Sequence, residues 1–315
     1  MKTLKVIKLF TFFVGLSLGL IACNNGSNKS KADQNPASKL SVVCTTGIIA
    51  DAVQNIVGKQ ATVVALMGAG VDPHLYKASQ GDLAKLVNAD VIIHNGLHLE
   101  GKMSDVLDNL KGRKKVLAFA DGLPPLKLIN NTSFANAHDP HIWFDVDLWR
   151  QAMCVISAQL QAIDTANAKI YKQNTFIYNQ KLIDLDQRTL NQIAQIPKNQ
   201  RVLITAHDAF SYFGNRYQIE VRGLQGISTV SEFGLRDITN LVNFIVERRI
   251  RAVFVESSVP QKSLEAVVKG CNDKGFDVKI GGTLFSDAMG GNGTPEGTYI
   301  GMVRHNVNLI AQGLK

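Results

Sequence analysis

The stretch His138-Asp139-Pro140-His141-Ile142-Trp143-Phe144-Asp145 packs two imidazoles, two carboxylates and a rigid proline into eight residues. Imidazole and carboxylate are the donors that first-row divalent metals prefer. Proline restricts the backbone that leads into His141. The same residues would also serve as a polar loop with an aromatic pair tucked into a core, and a short motif alone does not decide between the two. Three more positions carry ligand-type side chains. They are His74 in Val71-Asp72-Pro73-His74-Leu75-Tyr76, His207 in Leu203-Ile204-Thr205-Ala206-His207-Asp208, and Asp287 in Leu284-Phe285-Ser286-Asp287. His74, His141, His207 and Asp287 are separated by 67, 66 and 80 residues, so any shared site exists only in the folded chain. Each residue alone has an ordinary structural explanation, because His and Asp are common in loops and caps. The joint pattern carries the weight: His74 and His141 both follow Asp-Pro in a chain with eight prolines.

Such residues need elements to hold them. Leu40 to Thr45, Ala61 to Met67, Asp90 to His94 and Lys115 to Phe119 read as strands, with helices between them running through Ile56, over Asp82–Val87 and over Asp105–Leu110. Alternation of this kind means a parallel sheet with helical crossovers. Apolar residues from Leu148 to Ile163 fall at helical spacing, and from Ala166 to Ile196 they recur every third or fourth place until Pro197. A helix of about thirty residues without Gly or interior Pro makes a rigid strut. Alternation then restarts, with strands at Arg201–Thr205, Val221–Leu224, Arg251–Val255 and Val278–Gly281. An amphipathic helix from Leu235 to Ile245 is expected to be capped by Ser231 or by Thr229 with Glu232, and helices follow over Lys262–Cys271 and Thr298–Leu309. The fold class is therefore α/β, with two lobes of parallel sheet and flanking helices joined by one long helix. All four candidate ligands lie just past strand ends or in lobe loops, where ligands of such sheets gather.

The N-terminus is of another kind. A basic start at Lys2, Lys5 and Lys8, an apolar run from Leu9 to Ile21, and Ala22-Cys23 form a secretory signal too short to span a membrane. Leu20-Ile21-Ala22-Cys23 resembles a bacterial lipobox, which makes Cys23 the lipidated first residue of the mature chain. Multiple acyl chains anchor stably where one would not. Residues 24–38 are polar and read as a flexible tether. The expected division is signal 1–22, tether 23–38, first lobe 39–165, linking helix 166–197 and second lobe 198–315. The formal charge of +8 is spread along the chain without a basic helix or aromatic-basic ladder, which argues against nucleic-acid binding. Cys44, Cys154 and Cys271 sit in apolar or helical context and read as buried thiols rather than a disulfide framework.

Asp72-Pro73-His74, Asp139-Pro140-His141-x-Trp143, Thr205-Ala206-His207-Asp208-Ala209-Phe210-x-Tyr212-Phe213 and Ser286-Asp287 together resemble the signatures of the zinc/manganese solute-binding lipoproteins of ABC transporters, the TroA-like family. Gly226-Ile227-Ser228-Thr229-x-Ser231-Glu232 adds to the likeness, which runs from about Leu40 to the C-terminus. The resemblance implies two α/β lobes joined by a long helix, with Zn(II) or Mn(II) held between them by His74, His141, His207 and Asp287. It further implies a membrane permease with its cytoplasmic ATPase as partner, a monomer, and an exported protein tethered by its lipid at the cell membrane. Two departures bear on the metal. Asp121 to Ala137 contains no histidine, so the His-rich loop of many zinc-specific relatives is absent. The third ligand is His207, where relatives that favour manganese often carry Glu. Three nitrogens and a carboxylate suit zinc, and a bidentate carboxylate also admits manganese.

Rival readings are a secreted zinc-dependent hydrolase and an adhesin-type surface lipoprotein. No His-Glu-x-x-His, Gly-x-Ser-x-Gly or phosphate loop supports catalysis. Of the other candidates, His138 and Glu256 could orient a ligand imidazole. His94 and His98 share the i, i+4 spacing of a zinc helix, but His94 closes a strand and Gly96 intervenes, so they read as strand-end and loop residues. His305 reads as a surface residue of the last helix.

Overall fold

The structure is a computed structural model that describes residues 39–131 and 137–315; the signal, Cys23 and the tether lie outside the described residues. The first lobe runs β1 (Leu40–Thr46), α1 (Gly47–Val57), β2 (Ala61–Met67), α2 (Gln80–Asn88), β3 (Val91–His94), α3 (Ser104–Lys111) and β4 (Lys115–Ala118). Two long helices follow, α4 (Val146–Ile163) and α5 (Ala168–Ile193). The second lobe is β5 (Val202–His207), α6 (Ser211–Tyr217), β6 (Glu220–Gln225), α7 (Leu235–Arg248), β7 (Ala252–Glu256), α8 (Lys262–Asp273) and β8 (Lys279–Leu284), and α9 (Tyr299–Gly313) closes the chain.

The two sheets are topological copies. Their strand orders are β2-β1-β3-β4 and β6-β5-β7-β8, and every pairing is parallel. Burial follows from that order. The inner strands β3, β5 and β7 are buried at every position, as a strand covered on both faces must be, whereas the outer strands β6 and β8 are mostly exposed or half-buried. Each chain leaves its first strand on one side and crosses to the other, so a crevice opens at the carboxyl ends of the strands. One apolar cluster, including Val42, Ile48, Trp149, Leu203, Phe254 and Ile310, runs through both lobes. The opposite faces of the sheets carry separate cores around Ile92 and Met103 in the first lobe and Val253 and Val267 in the second.

The linking helix is shorter than its periodicity suggests. At the front, Asp164 accepts from Asn167 and from the Tyr171 hydroxyl, at 2.9 and 2.6 Å, and holds residues 164–167 in a turn. At the back, Pro197 forces the residues before it out of helix. The remaining 26 residues span about 39 Å at 1.5 Å per residue. That reach lets α5 bond to both lobes, through Tyr178 to Asp51 of α1 and through Arg216 of α6 to Asp186. α9 makes a second crossing: its Tyr299 N–H donates to Asp51, and the Tyr299 hydroxyl donates to the Trp143 carbonyl at 2.7 Å.

One further sequence expectation needs correction, and one short helix has no counterpart in the sequence pattern. α7 begins at Leu235 as expected but is not capped by Ser231 or Thr229; its cap is Gly234, whose N–H donates to Asp237 Oδ2 at 2.8 Å. Thr229 is engaged elsewhere, as described below. The short α6 has too few turns to show a period, and the sequence did not reveal it. Cys44, Cys154 and Cys271 are all free thiols; Cys44 and Cys271 are buried as expected, whereas Cys154 is only half-buried. Among the described residues no helix is long and apolar enough to cross a membrane.

Candidate metal centre

The two Asp-Pro-His tripeptides fold into the same turn. Asp72 Oδ1 accepts the His74 N–H at 2.8 Å, and Asp139 Oδ1 accepts the His141 N–H at 2.9 Å. Aspartate makes this local bond readily, and the intervening proline fixes the backbone between donor and acceptor. Asp139 Oδ1 also lies 2.7 Å from His141 Nδ1. That contact fixes the tautomer with the proton on Nδ1 and leaves the Nε2 lone pair free. Of the two carboxylates in the central motif, then, Asp139 orients the histidine, while Asp145 caps α4 by accepting from the Asp147 and Leu148 N–H groups.

His207 ends the central strand of the second sheet. Glu256, at the end of neighbouring β7, accepts the His207 N–H at 2.8 Å through Oε1 and places Oε2 2.5 Å from His207 Nδ1. Backbone space matters here. Gly223 of β6 faces this strand end, where a Cβ would stand 2.5 Å from the Asp208 nitrogen. Asp287 follows β8 in a loop pinned on three sides. Trp143 Nε1 donates to the Ser286 carbonyl at 3.0 Å, Asn306 bonds both backbone groups of Phe285, and the Ser258 and Ser286 hydroxyls lie 2.9 Å apart.

These four loops bring four donor groups to one point. His74 Nε2 is 3.3 Å from His141 Nε2 and 3.7 Å from Asp287 Oδ2; His141 Nε2 is 3.5 Å from Asp287 Oδ1; His207 Nε2 is 3.3 Å from Asp287 Oδ2. One ligand atom from each residue falls within 4.8 Å of all the others. A tetrahedron with ligand bonds near 2.1 Å has edges of about 3.4 Å, so the separations suit a tetrahedral divalent ion. Exposure is 3% at His74 and 1% or less at the other three. His207 Nε2 and both Asp287 oxygens are buried without a hydrogen-bond partner. Orphaned buried polar atoms of this kind require a counterpart, and a bound cation would supply it.

Electrostatics sort the four. Burial lowers the His74 pKa to about 3, with Asp287 opposing and His141 and His207 reinforcing. Burial would raise Asp287, but the imidazoles of His207, His141 and His74 outweigh it and hold the carboxyl well below its usual range. Burial would lower His207, but the Glu256 and Asp287 carboxylates outweigh it and raise this imidazole well above its ordinary value. Before a cation binds, these interactions favour an ionised Asp287, a neutral His74 and a protonated His207.

Other sequence candidates fall elsewhere. His138 does not back His141, a role taken by Asp139; it pairs as a bridge with Asn130 and lines a separate cleft with His94 and His98. His305 is half-buried, with its ring 4.9 Å from that of Phe285 and Nε2 3.0 Å from the Thr283 carbonyl. Sequence reasoning gave no role to three residues that hold the site together. Tyr212 donates to the Asp139 carbonyl at 2.9 Å and accepts from the Ile129 N–H. Asn95 donates to the Pro140 carbonyl at 2.9 Å, and buried Glu100 in turn accepts the Asn95 N–H and the Thr45 hydroxyl, each at 2.7 Å. Asp139 and Tyr212 stood inside the quoted motifs and could have been found there; Asn95 and Glu100 carry no sequence signal.

Comparison with known proteins points the same way as the geometry. Residues 42–313 match the family described as zinc-uptake complex component A, periplasmic. The chain is 50% identical over 299 residues to the manganese-binding lipoprotein MntA of Bacillus subtilis, covering 95% of this chain and 96% of that one. It is 44% identical over 290 residues to the zinc-binding protein TroA of Treponema pallidum, 92% of each chain. The solved structure of the Treponema pallidum periplasmic zinc-binding protein TroA superposes with a TM-score of 0.86, covering 88% of this chain and 99% of that one. The chain belongs to this family of solute-binding proteins with the TroA-like two-lobe α/β fold.

Proposed function

We propose that this protein is the extracytoplasmic solute-binding component of an ABC importer, capturing Zn(II) or Mn(II) between its lobes and delivering it to a membrane permease driven by a cytoplasmic ATPase. His74, His141, His207 and Asp287 are the ligands, and Asp139 and Glu256 orient two of the imidazoles. One observation carries the reading: four buried donors, two from each lobe, meet within 4.8 Å. The ion is cargo and also the bond between lobes. The fourth protein ligand occupies the position that a catalytic zinc leaves to water, which speaks for binding over hydrolysis. Because α5 and α9 are bonded to both lobes, wide hinge opening is restrained, and release follows from the permease disturbing the loops that carry His207 and Asp287. Cys23 supplies the lipid anchor, and the protein acts as a monomer with lobes at about 39–165 and 198–315.

Zinc and manganese both fit. Three imidazoles favour zinc, and the Irving–Williams order gives it the higher raw affinity. Both Asp287 oxygens face ligand nitrogens, Oδ1 toward His141 and Oδ2 toward His74 and His207, an approach that accommodates the larger manganese coordination. The relatives are named for one metal or the other. Metal analysis of protein purified without chelators, followed by zinc/manganese competition, tests the reading. One tightly held ion per chain, lost in His207→Ala, is the expected result. A chain that binds no divalent ion, or binds it as well without His207, defeats the proposal.

A further inference from the structure

We propose that the cleft beside the end of β3 is a second, weaker site for a divalent cation of the zinc, nickel and copper class, with His94, His98 and His138 as its donors. The cleft has a volume of about 320 Å³, and these three of the chain's seven histidines line it together with Glu100, Asp108 and Asp121. His94 is 8% exposed, sets Nδ1 3.7 Å from Glu100 Oε2, and leaves Nε2 buried without a partner. His138 Nδ1 is likewise buried and unpartnered. An orphaned buried nitrogen is costly to leave unpaired, and two of them on one cleft call for a common counterpart. Imidazoles without a thiolate select zinc, nickel or copper, and the carboxylates favour a positive charge.

The backbone adds an independent observation. Gly96, Leu97 and His98 have φ of +83°, +52° and +62°. Leu and His in the left-handed region carry strain, and such strain concentrates at functional loops. This loop puts exposed His98 on the cleft. Among the described residues, only the four-residue centre gathers three or more metal-binding atoms within 4.8 Å. The cleft is therefore the less preorganised of the two, its donors must close onto an ion by side-chain rotation, and its affinity is the lower. The sites share loops but no donors: Asn95, next to His94, holds the Pro140 carbonyl beside His141.

The inference stands apart from the transport reading, and calorimetric titration of the full chain with zinc separates them. The intact protein is expected to bind a second, weaker equivalent after the first. The His98→Ala/His138→Ala double variant should weaken that second step by more than about tenfold and leave the first unchanged. His207→Ala should remove the first and keep the second. A single equivalent in the intact protein, or a second equivalent that survives the double variant, overturns the proposal.

Discussion

The Asp-Pro-His turns at Asp72 and Asp139 are built alike and then used differently. In both, one carboxylate oxygen accepts the histidine N–H two residues on. At Asp139 that same oxygen also holds the His141 ring, so the turn and its ligand form one rigid unit. At Asp72 the second oxygen instead accepts the Thr229 hydroxyl at 2.6 Å, from the opposite lobe. One motif thus yields a fixed histidine, and the other a histidine whose supporting loop is tied to the far side of the cleft. The second lobe uses neither turn. His207 sits at the end of a strand and is oriented by Glu256 from the adjacent strand, 49 residues away. Preorganisation is local in the first lobe and long-range in the second.

The largest effect should come from the residue that all three histidines face. Asp287→Ala leaves three neutral imidazoles and no anion, and metal affinity should fall by about a thousandfold or more, ~4 kcal/mol. Calorimetry measures it; retention of wild-type affinity would mean that the second lobe contributes only His207.

Glu256→Gln probes the long-range arm. In the metal-free centre, the Glu256 and Asp287 carboxylates outweigh burial and raise the His207 imidazole well above its ordinary value, which favours its protonated form. Binding must displace that proton, so affinity should rise with pH, by about tenfold per unit, wherever pH lies below the raised His207 value. The sign is fixed: acid weakens capture and base strengthens it. His74 is already neutral and Asp287 already ionised across this range, so neither adds to the slope. Glu256→Gln should cost about tenfold to a hundredfold in affinity at neutral pH and flatten the dependence. Titrations in buffers of different ionisation enthalpy count the proton directly. An unchanged slope in the variant would assign the proton to another group.

The first lobe offers a paired test. Asp139→Asn keeps an acceptor for the turn but removes the charge behind His141, and should cost about tenfold to a hundredfold in affinity. Asp72→Asn keeps its turn too, and its amide can still bond Thr229, so it should cost about threefold or less. Equal losses would erase the distinction between the two turns.

How much of this was readable beforehand follows the same division. The apolar runs of the inner strands and the helical spacing along α4 and α5 announced the layout, because burial on both faces leaves a mark in every residue. His74 and His141 announced themselves through adjacent Asp-Pro. His207 and Asp287 were legible only as members of a set. Glu256 was suspected from its place after a strand, yet its pairing with His207 depends on β5 and β7 being neighbours, a fact of sheet order. Asn95 and Glu100 carry no such mark, because Asn95 acts on the distant Pro140 loop and Glu100 supports Asn95 while bonding to distant Thr45. The cap of α7 was misread because Thr229 has the chemistry of a helix cap and spends it on Asp72 in the other lobe.

That last contact should give the smallest effect and the most diagnostic one. Thr229→Val preserves shape and leaves the Asp72–His74 turn intact, removing one cross-lobe hydrogen bond to a carboxylate. A bond of this type at a partly exposed site contributes about 1 kcal/mol. Its loss should speed metal release by about fivefold while leaving the capture rate near native, because the bond forms only once the lobes have met. Asp72→Asn should not reproduce that acceleration, since its amide can keep the link. Stopped-flow release into excess chelator measures the rate. A slower capture with unchanged release would place Thr229 in the open protein's own loop structure and break the assignment of Asp72 as the turn that senses the opposite lobe.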